Sequence, residues 1–148
     1  MNTIASHAKH RSAFTLVEIL IVVIILGILA AIVVPQFSSA STDAQVSALS
    51  SNLQTMRGQI ELYKLQHNGN YPPAATFANV MTLFTDVNHN TNATYTATFK
   101  YGPYMIAVPP NPYDSSNTVD AVDDNSGGWY YVQATGKFHT DDGVHDAL

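Results

Sequence analysis

Cysteine is absent from all 148 residues, so the chain has no disulfide, no thiolate nucleophile and no cysteine-ligated zinc site. Positive charge is nearly as scarce: six Lys/Arg stand against eleven Asp/Glu, a formal charge of −5. An acidic chain with so few cations has no basic stripe with which to follow a phosphate backbone, which removes nucleic acid from the expected partners. No glycine-rich phosphate loop, nucleophile elbow or dinucleotide fingerprint occurs. The length suits one small domain beside one apolar helix and leaves no room for a large catalytic core. Without cross-links such a domain depends on its core, a bound ion or its neighbours.

What is present is a short basic leader holding Lys9 and Arg11, followed by an apolar run. The junction reads Arg11-Ser12-Ala13-Phe14-Thr15-Leu16-Val17-Glu18, and the run continues from Ile19 to Val34. Those 16 residues become 21 when counted from Phe14 with Glu18 included, which reaches the ~20 needed to cross a bilayer. A secretory signal would be shorter and would end in a small-x-small site; only a weak one lies between Gly27 and Ala31. A basic leader before such a helix predicts a cytoplasmic N-terminus and an exported C-terminal domain. Inside the run sits one carboxylate, Glu18. An ionised acid in hydrocarbon costs roughly 2.5–3.5 kcal/mol on insertion scales and marks a functional position with a partner. Cutting between Ala13 and Phe14 would create an α-amino group four residues from Glu18, and the same group in a neighbouring copy would neutralise it.

This junction resembles the signal of type IV pilins and pseudopilins: a charged leader, a small residue, Phe-Thr-Leu-hydrophobic-Glu and an apolar helix. The resemblance implies a prepilin peptidase that cuts before Phe14 and methylates its new amino group. Phe14 becomes the first mature residue and Glu18 the fifth, the residue that fixes register in a homopolymer. The family usually has Gly before the Phe, where this chain has Ala13. From Phe14 on, 135 residues carry four Lys/Arg against eleven Asp/Glu, near −7. Many major type IV pilins close a C-terminal disulfide loop, so the missing cysteines lean toward the major pseudopilin, or G type, of type II secretion.

Beyond Pro35 the helical period resumes. Val46, Leu49, Leu53, Met56, Ile60 and Tyr63 recur at steps of three and four and draw one apolar stripe. A helix from Phe14 to about His67 would be near 80 Å long at about 1.5 Å per residue. Gly27 and Pro35 are its weak points, because glycine is flexible and proline removes a backbone donor. The resemblance implies that the stretch between them loses helicity in the filament. His67-Asn68-Gly69 supplies a left-handed stop before Pro72 and Pro73. The element Gly69-Asn70-Tyr71-Pro72 also resembles the loop after the long helix of major pseudopilins. The expected organisation is a leader at 1–13, a membrane or filament-core helix at 14–35, an amphipathic continuation at 36–67 and a globular domain at 68–148.

In that domain, Ala74 to Asp86 reads as one short helix and Asn88 to Thr94 as a polar loop. Tyr95–Tyr101 and Tyr104–Val108 read as strands, and Trp129–Val132 pairs with Lys137–His139 across a turn at 134–136. The fold class is α+β and pilin-like, with a short antiparallel sheet. Segments Tyr101–Tyr104, Pro109–Pro112 and Gly128–Tyr131 also look like the C-terminal half of G-type pseudopilins. The loop 114–128 is dense in oxygen donors of the kind calcium takes. With calcium common in the C-terminal loops of major pseudopilins, Asp120, Asp123 and Asp124 are the candidate ligands, although no EF-hand spacing occurs. His139 and His145 lie close to Asp141 and Asp142, yet without a His-x-x-x-His pair or a cysteine they read as a polar tail.

The expected function is a structural subunit of a periplasmic type II secretion pseudopilus, not an enzyme. Its implied partners are further copies, minor pseudopilins, the prepilin peptidase, the membrane, and an inner-membrane platform with its ATPase. Two alternatives stay open: a type IV pilin for adhesion, motility or DNA uptake, and a membrane-anchored binding domain that never polymerises.

Overall fold

A computed structural model describes residues 14–145. The chain divides at Ser41/Thr42 into two compact units, and helix α1, Leu16–Gln66, contributes to both. Among the described residues of the first unit α1 is the one regular element, and the helix continues through Pro35. Pro35 has no amide to offer the carbonyl four residues back, so the ladder loses one bond there.

The second unit is built on the amphipathic part of α1. Leu49, Leu53, Met56, Ile60 and Tyr63 are all buried, as their spacing predicts, while Val46 stays 37% exposed. The stripe runs one step further than its apolar members, because His67 is also fully buried. The helix ends as expected: Asn68 and Gly69 take positive φ, and the Gly69 amide donates to the Lys64 carbonyl at 2.9 Å.

Against this stripe pack Phe77, Val80 and Met81 of a short helix, together with Tyr104, Val108, Trp129, Tyr131 and Phe138. The Trp129 indole donates to the Pro109 carbonyl at 2.8 Å and the Tyr131 hydroxyl to the Pro72 carbonyl at 3.0 Å, so the large rings are buried with their polar atoms satisfied. Strands β4, Trp129–Val132, and β5, Lys137–Thr140, form the expected antiparallel hairpin, with Trp129, Tyr131, Phe138 and Thr140 on its inner face. At its turn Gly136 has φ +72° and lies against the Tyr71 ring, where any side chain would collide.

Four readings of the middle of the domain are corrected. Ala74 to Asp86 is not one helix: a 3-10 turn at Ala74–Thr76 leads into α2, Phe77–Thr82, and Leu83 is extended. Strand β1, Phe84–Thr85, follows and pairs with β2, Thr91–Asn92, inside the segment read as a loop. Tyr95 to Tyr101 is not a strand; Tyr101 alone bridges to Thr85. Tyr104 to Val108 is irregular and buries only Tyr104 and Val108. The third strand of the main sheet is instead β3, Val119–Asp120, which lies parallel to β4. Alternation in Tyr95–Tyr101 carries no structural weight because that segment packs almost nothing inward.

Candidate functional site

At its start α1 is capped by Thr15. The Glu18 amide donates to Thr15 Oγ1 at 3.2 Å and to the Thr15 carbonyl at 3.1 Å, which satisfies a donor that the first helical turn leaves open. Thr15-Leu16-Val17-Glu18 thus has the spacing of a capping box, with an acid in the first turn facing the positive end of the helix dipole. The Glu18 side chain is exposed, and no lysine, arginine or histidine pairs with it among the described residues. Phe14 is exposed as well, at 74%. Ala13 and the leader lie outside the described residues.

Every residue from Phe14 to Val34 is exposed. A face of leucine, isoleucine and valine on all sides of a helix has no counterpart in a water-facing helix, and this one is long and apolar enough to cross a membrane. A Cβ added at Gly27 would meet nothing within 4 Å, so this glycine answers no steric demand within the chain.

The acidic loop gathers differently from its sequence. Asp114 staples it, accepting from the Ser116 amide at 2.7 Å and the Gly128 amide at 2.6 Å. Ser126 then draws three acids together. Its amide donates to Asp124 at 3.1 Å, and its hydroxyl lies 3.4 Å from Asp120 Oδ2 and 3.1 Å from Asp141 Oδ2. One hydroxyl proton serves only one of the last two carboxylates. Asp141 is fully buried and has no ion pair among the described residues; the Asn125 amide is its other donor, at 2.9 Å. This donor-poor convergence of carboxylate oxygens suits a hard cation. No ready-made group of three metal-ligating side chains exists among the described residues. Asp123 is exposed.

Comparison with known proteins adds a second line. Residues 8–34 match the prokaryotic N-terminal methylation motif. The type II secretion system core protein G of Aeromonas hydrophila is 30% identical over 105 residues, 71% of this chain and 69% of that protein. The chain belongs to the core protein G family. The Pseudomonas aeruginosa member is 44% identical over 64 residues, 43% of this chain and 44% of its own length. The type IV major fimbrial protein FimA of Dichelobacter nodosus is 47% identical, but over only 51 residues, a third of either chain. No solved structure matches.

Sequence reasoning missed three residues of this core protein G chain. Thr15 was legible in the Thr-x-x-Glu spacing. Asp141 sits 15 residues from Ser126, and only the β4–β5 hairpin brings them together. His67 continues the helical stripe but is polar. Its ring stacks on Tyr63 at 3.8 Å and lies 5.2 Å from His89, and Nδ1 is 2.9 Å from the Tyr63 carbonyl, which leaves Nε2 buried with no partner. Burial, then the nearby His89, outweigh the backbone contacts and lower the basicity of His67. The expected polar tail is more ordered than that phrase implies: His145 stacks on Tyr113 at 4.0 Å and bonds Asp142 at 2.6 Å. Burial raises Asp142, but the His145 amide and ring and the Val144 amide hold it down at about 2.

Proposed function

We infer that this chain is a structural subunit of the type II secretion pseudopilus, a pseudopilin that acts by polymerising. The observation that carries this reading over a type IV pilin is the extent of likeness. Similarity to a fimbrial protein covers only 51 residues, a third of the chain, whereas similarity to core protein G covers 71% of it and so reaches into the globular domain.

The mechanism follows from the helix. Before assembly the apolar half of α1 holds the subunit in the inner membrane, with its N-terminus cytoplasmic and its domain periplasmic. Prepilin peptidase cleaves Ala13–Phe14 and methylates the Phe14 amino group. An assembly platform and its ATPase lift the subunit, joined by minor pseudopilins, out of the lipid. The exposed apolar side chains then trade lipid for the helices of neighbouring copies. Glu18 meets the Phe14 amino group of an adjacent subunit, which fixes register because an unpaired charge in that core is expensive. Between Gly27 and Pro35, the helix loosens as it packs.

Calcium belongs to the same reading. Asp120, Asp123 and Asp124 are the candidate ligands, and the ion would staple a domain that has no disulfide. Chelation is then expected to lower the melting temperature of the wild-type chain; an unchanged value sinks the site.

Intact mass of the protein from its native membrane tests the whole. Phe14 to Leu148 plus one methyl group is the expected species. The full-length mass would mean that no prepilin processing occurs and would favour an anchored domain.

A further inference from the structure

The N-terminal end of α1 is set by a side chain and not by a helix breaker. Between Met1 and Leu26 there is neither glycine nor proline, and Ala13, beside the bond assigned to cleavage, is the strongest helix former of all. Yet the helix begins at Leu16, and Phe14 and Thr15 stand outside it. Thr15 makes the stop. Its carbonyl accepts the Glu18 amide at 3.1 Å and the Ile19 amide at 3.3 Å, and its hydroxyl accepts the Glu18 amide at 3.2 Å. A helix that began one turn earlier would send the Glu18 amide to the Phe14 carbonyl, four residues back. Thr15 therefore competes with helical continuation for the same donor.

The sequence upstream gives that stop a consequence. The nearest preceding residue that caps well is Ser12, on the other side of the Ala13–Phe14 bond. A helix capped by Ser12 would enclose that bond: the Val17 amide would donate to the Ala13 carbonyl, and the Phe14 amide would turn toward the Ser12 hydroxyl. Both polar groups of the peptide would then be engaged within the first turn. Hydrolysis adds one water across the bond, its oxygen to the Ala13 carbonyl carbon and a proton to the Phe14 nitrogen. Both atoms must be open to the enzyme, and they are open in an extended segment and enclosed in a helical one. The match to the prokaryotic N-terminal methylation motif, over residues 8–34, spans both sides of this bond and supports an enzyme acting there independently of the helix geometry.

We propose that Thr15 is a positioning residue for processing: by starting α1 at Leu16 it keeps the bond before Phe14 out of the helix and presents it to the prepilin peptidase. The proposal rests on the processing reading above and concerns a step that precedes any pairing of Glu18 between copies. The two members of the Thr-x-x-Glu spacing thereby act in turn, Thr15 before the cut and Glu18 after it.

The test is cleavage of the full-length precursor in detergent by the prepilin peptidase of the same cells, followed by intact mass across a range of precursor concentrations. Thr15→Ala lowers the fraction of precursor in the extended form, so the apparent KM rises about two- to fivefold while kcat stays at the wild-type value. Processing is slowed and not abolished, so mature Thr15→Ala subunits still accumulate. Thr15→Asn, which has a different shape but caps equally well, keeps the wild-type KM. Ala13→Gly disfavours the upstream helix through its backbone freedom, and in that background Thr15→Ala leaves KM unchanged. An unchanged KM for Thr15→Ala alone, or a loss confined to kcat, overturns the proposal. So does a direct contact between Thr15 and the peptidase, which would raise KM for Thr15→Asn and by the same factor with and without Ala13→Gly. Wild-type precursor left uncut under these conditions overturns the processing reading as well.

Discussion

One helix behaves as two. From Leu49 to Tyr63, α1 buries a single stripe and leaves its other faces to water, whereas from Ile19 to Val34 it is apolar on every side and every residue is exposed among the described residues. The difference tells where each half finds its partner. A stripe is as wide as the surface that covers it, and here the chain's own β4–β5 hairpin and α2 provide that surface. An apolar cylinder has no preferred side, so its cover must surround it, as lipid does first and neighbouring helices do later. Periodicity marks a partner in the same chain, and its absence marks partners outside.

The sharpest way to break this comparison is to cut the same atoms from each half. Leu53→Ala removes a buried side chain at 1% exposure and should cost the domain about 2–5 kcal/mol. Leu26→Ala, from a position 59% exposed, should leave the domain's melting temperature in detergent unchanged and weaken only the filament. Equal shifts in the two melts would mean that the first half is covered within the chain after all.

Next in size is the pair of weak points. Alanine gains about 1 kcal/mol over glycine and about 3 over proline inside a helix, so Gly27→Ala with Pro35→Ala should stiffen the segment by roughly 4 kcal/mol. Membrane insertion should survive, and polymer yield should fall if packing needs the helix to loosen. Wild-type yield from the double variant would rule out that loosening. The second half has no comparable device: Gly58 also has open space around a would-be Cβ, but no proline follows it within the helix.

How far these two behaviours were legible depends on what each half packs against. The apolar run, the stripe from Leu49 to Tyr63 and the Asn68-Gly69 stop follow from local spacing and appear where it puts them, while Val46 at the head of the stripe stays exposed and the Thr15 cap was legible but passed over. The middle of the domain does not. Phe84–Thr85 becomes a strand only because Thr91–Asn92 folds back on it, and Val119–Asp120 joins β4 in parallel across a long loop, which no period-two pattern records. Asp141 was passed over for the same reason, since its neighbours at Asn125 and Ser126 are distant in sequence. His67 lay on the stripe, but polar identity hid its burial.

That histidine gives a third test, smaller than the first two. Its basicity is lowered in the fold by burial and by His89, with Asp86 opposing and the Tyr63, Tyr101 and Tyr104 rings packed around it. Below the ordinary value of 6.5 the unfolded chain therefore binds a proton that the folded one resists. Stability contributed by the neutral ring is present above that pH and lost as the pH falls beneath it, by at most about 1.4 kcal/mol per pH unit. Melting temperatures from pH 7.5 to 5 should drop more steeply for wild type than for His67→Phe; parallel curves would show that the burial of His67 has no titration consequence. Asp142 begins to matter only lower, as pH falls from the ordinary carboxylate range toward about 2.

The smallest effect on the chain itself separates the two roles open to Glu18. As the third residue of the helix it belongs to a capping box with Thr15, in which glutamine serves as well as glutamate. As the partner of a neighbour's amino group it must carry charge. Thr15→Ala removes the cap and should cost helix stability about 1 kcal/mol, while Glu18→Gln should change it by no more than a few tenths. If Glu18→Gln nonetheless stops assembly while circular dichroism and insertion match wild type, the carboxylate acts between copies. If Glu18→Gln assembles normally and Thr15→Ala does not, the acid is only a helix cap, and even the start of this apolar half would then be explained within its own chain.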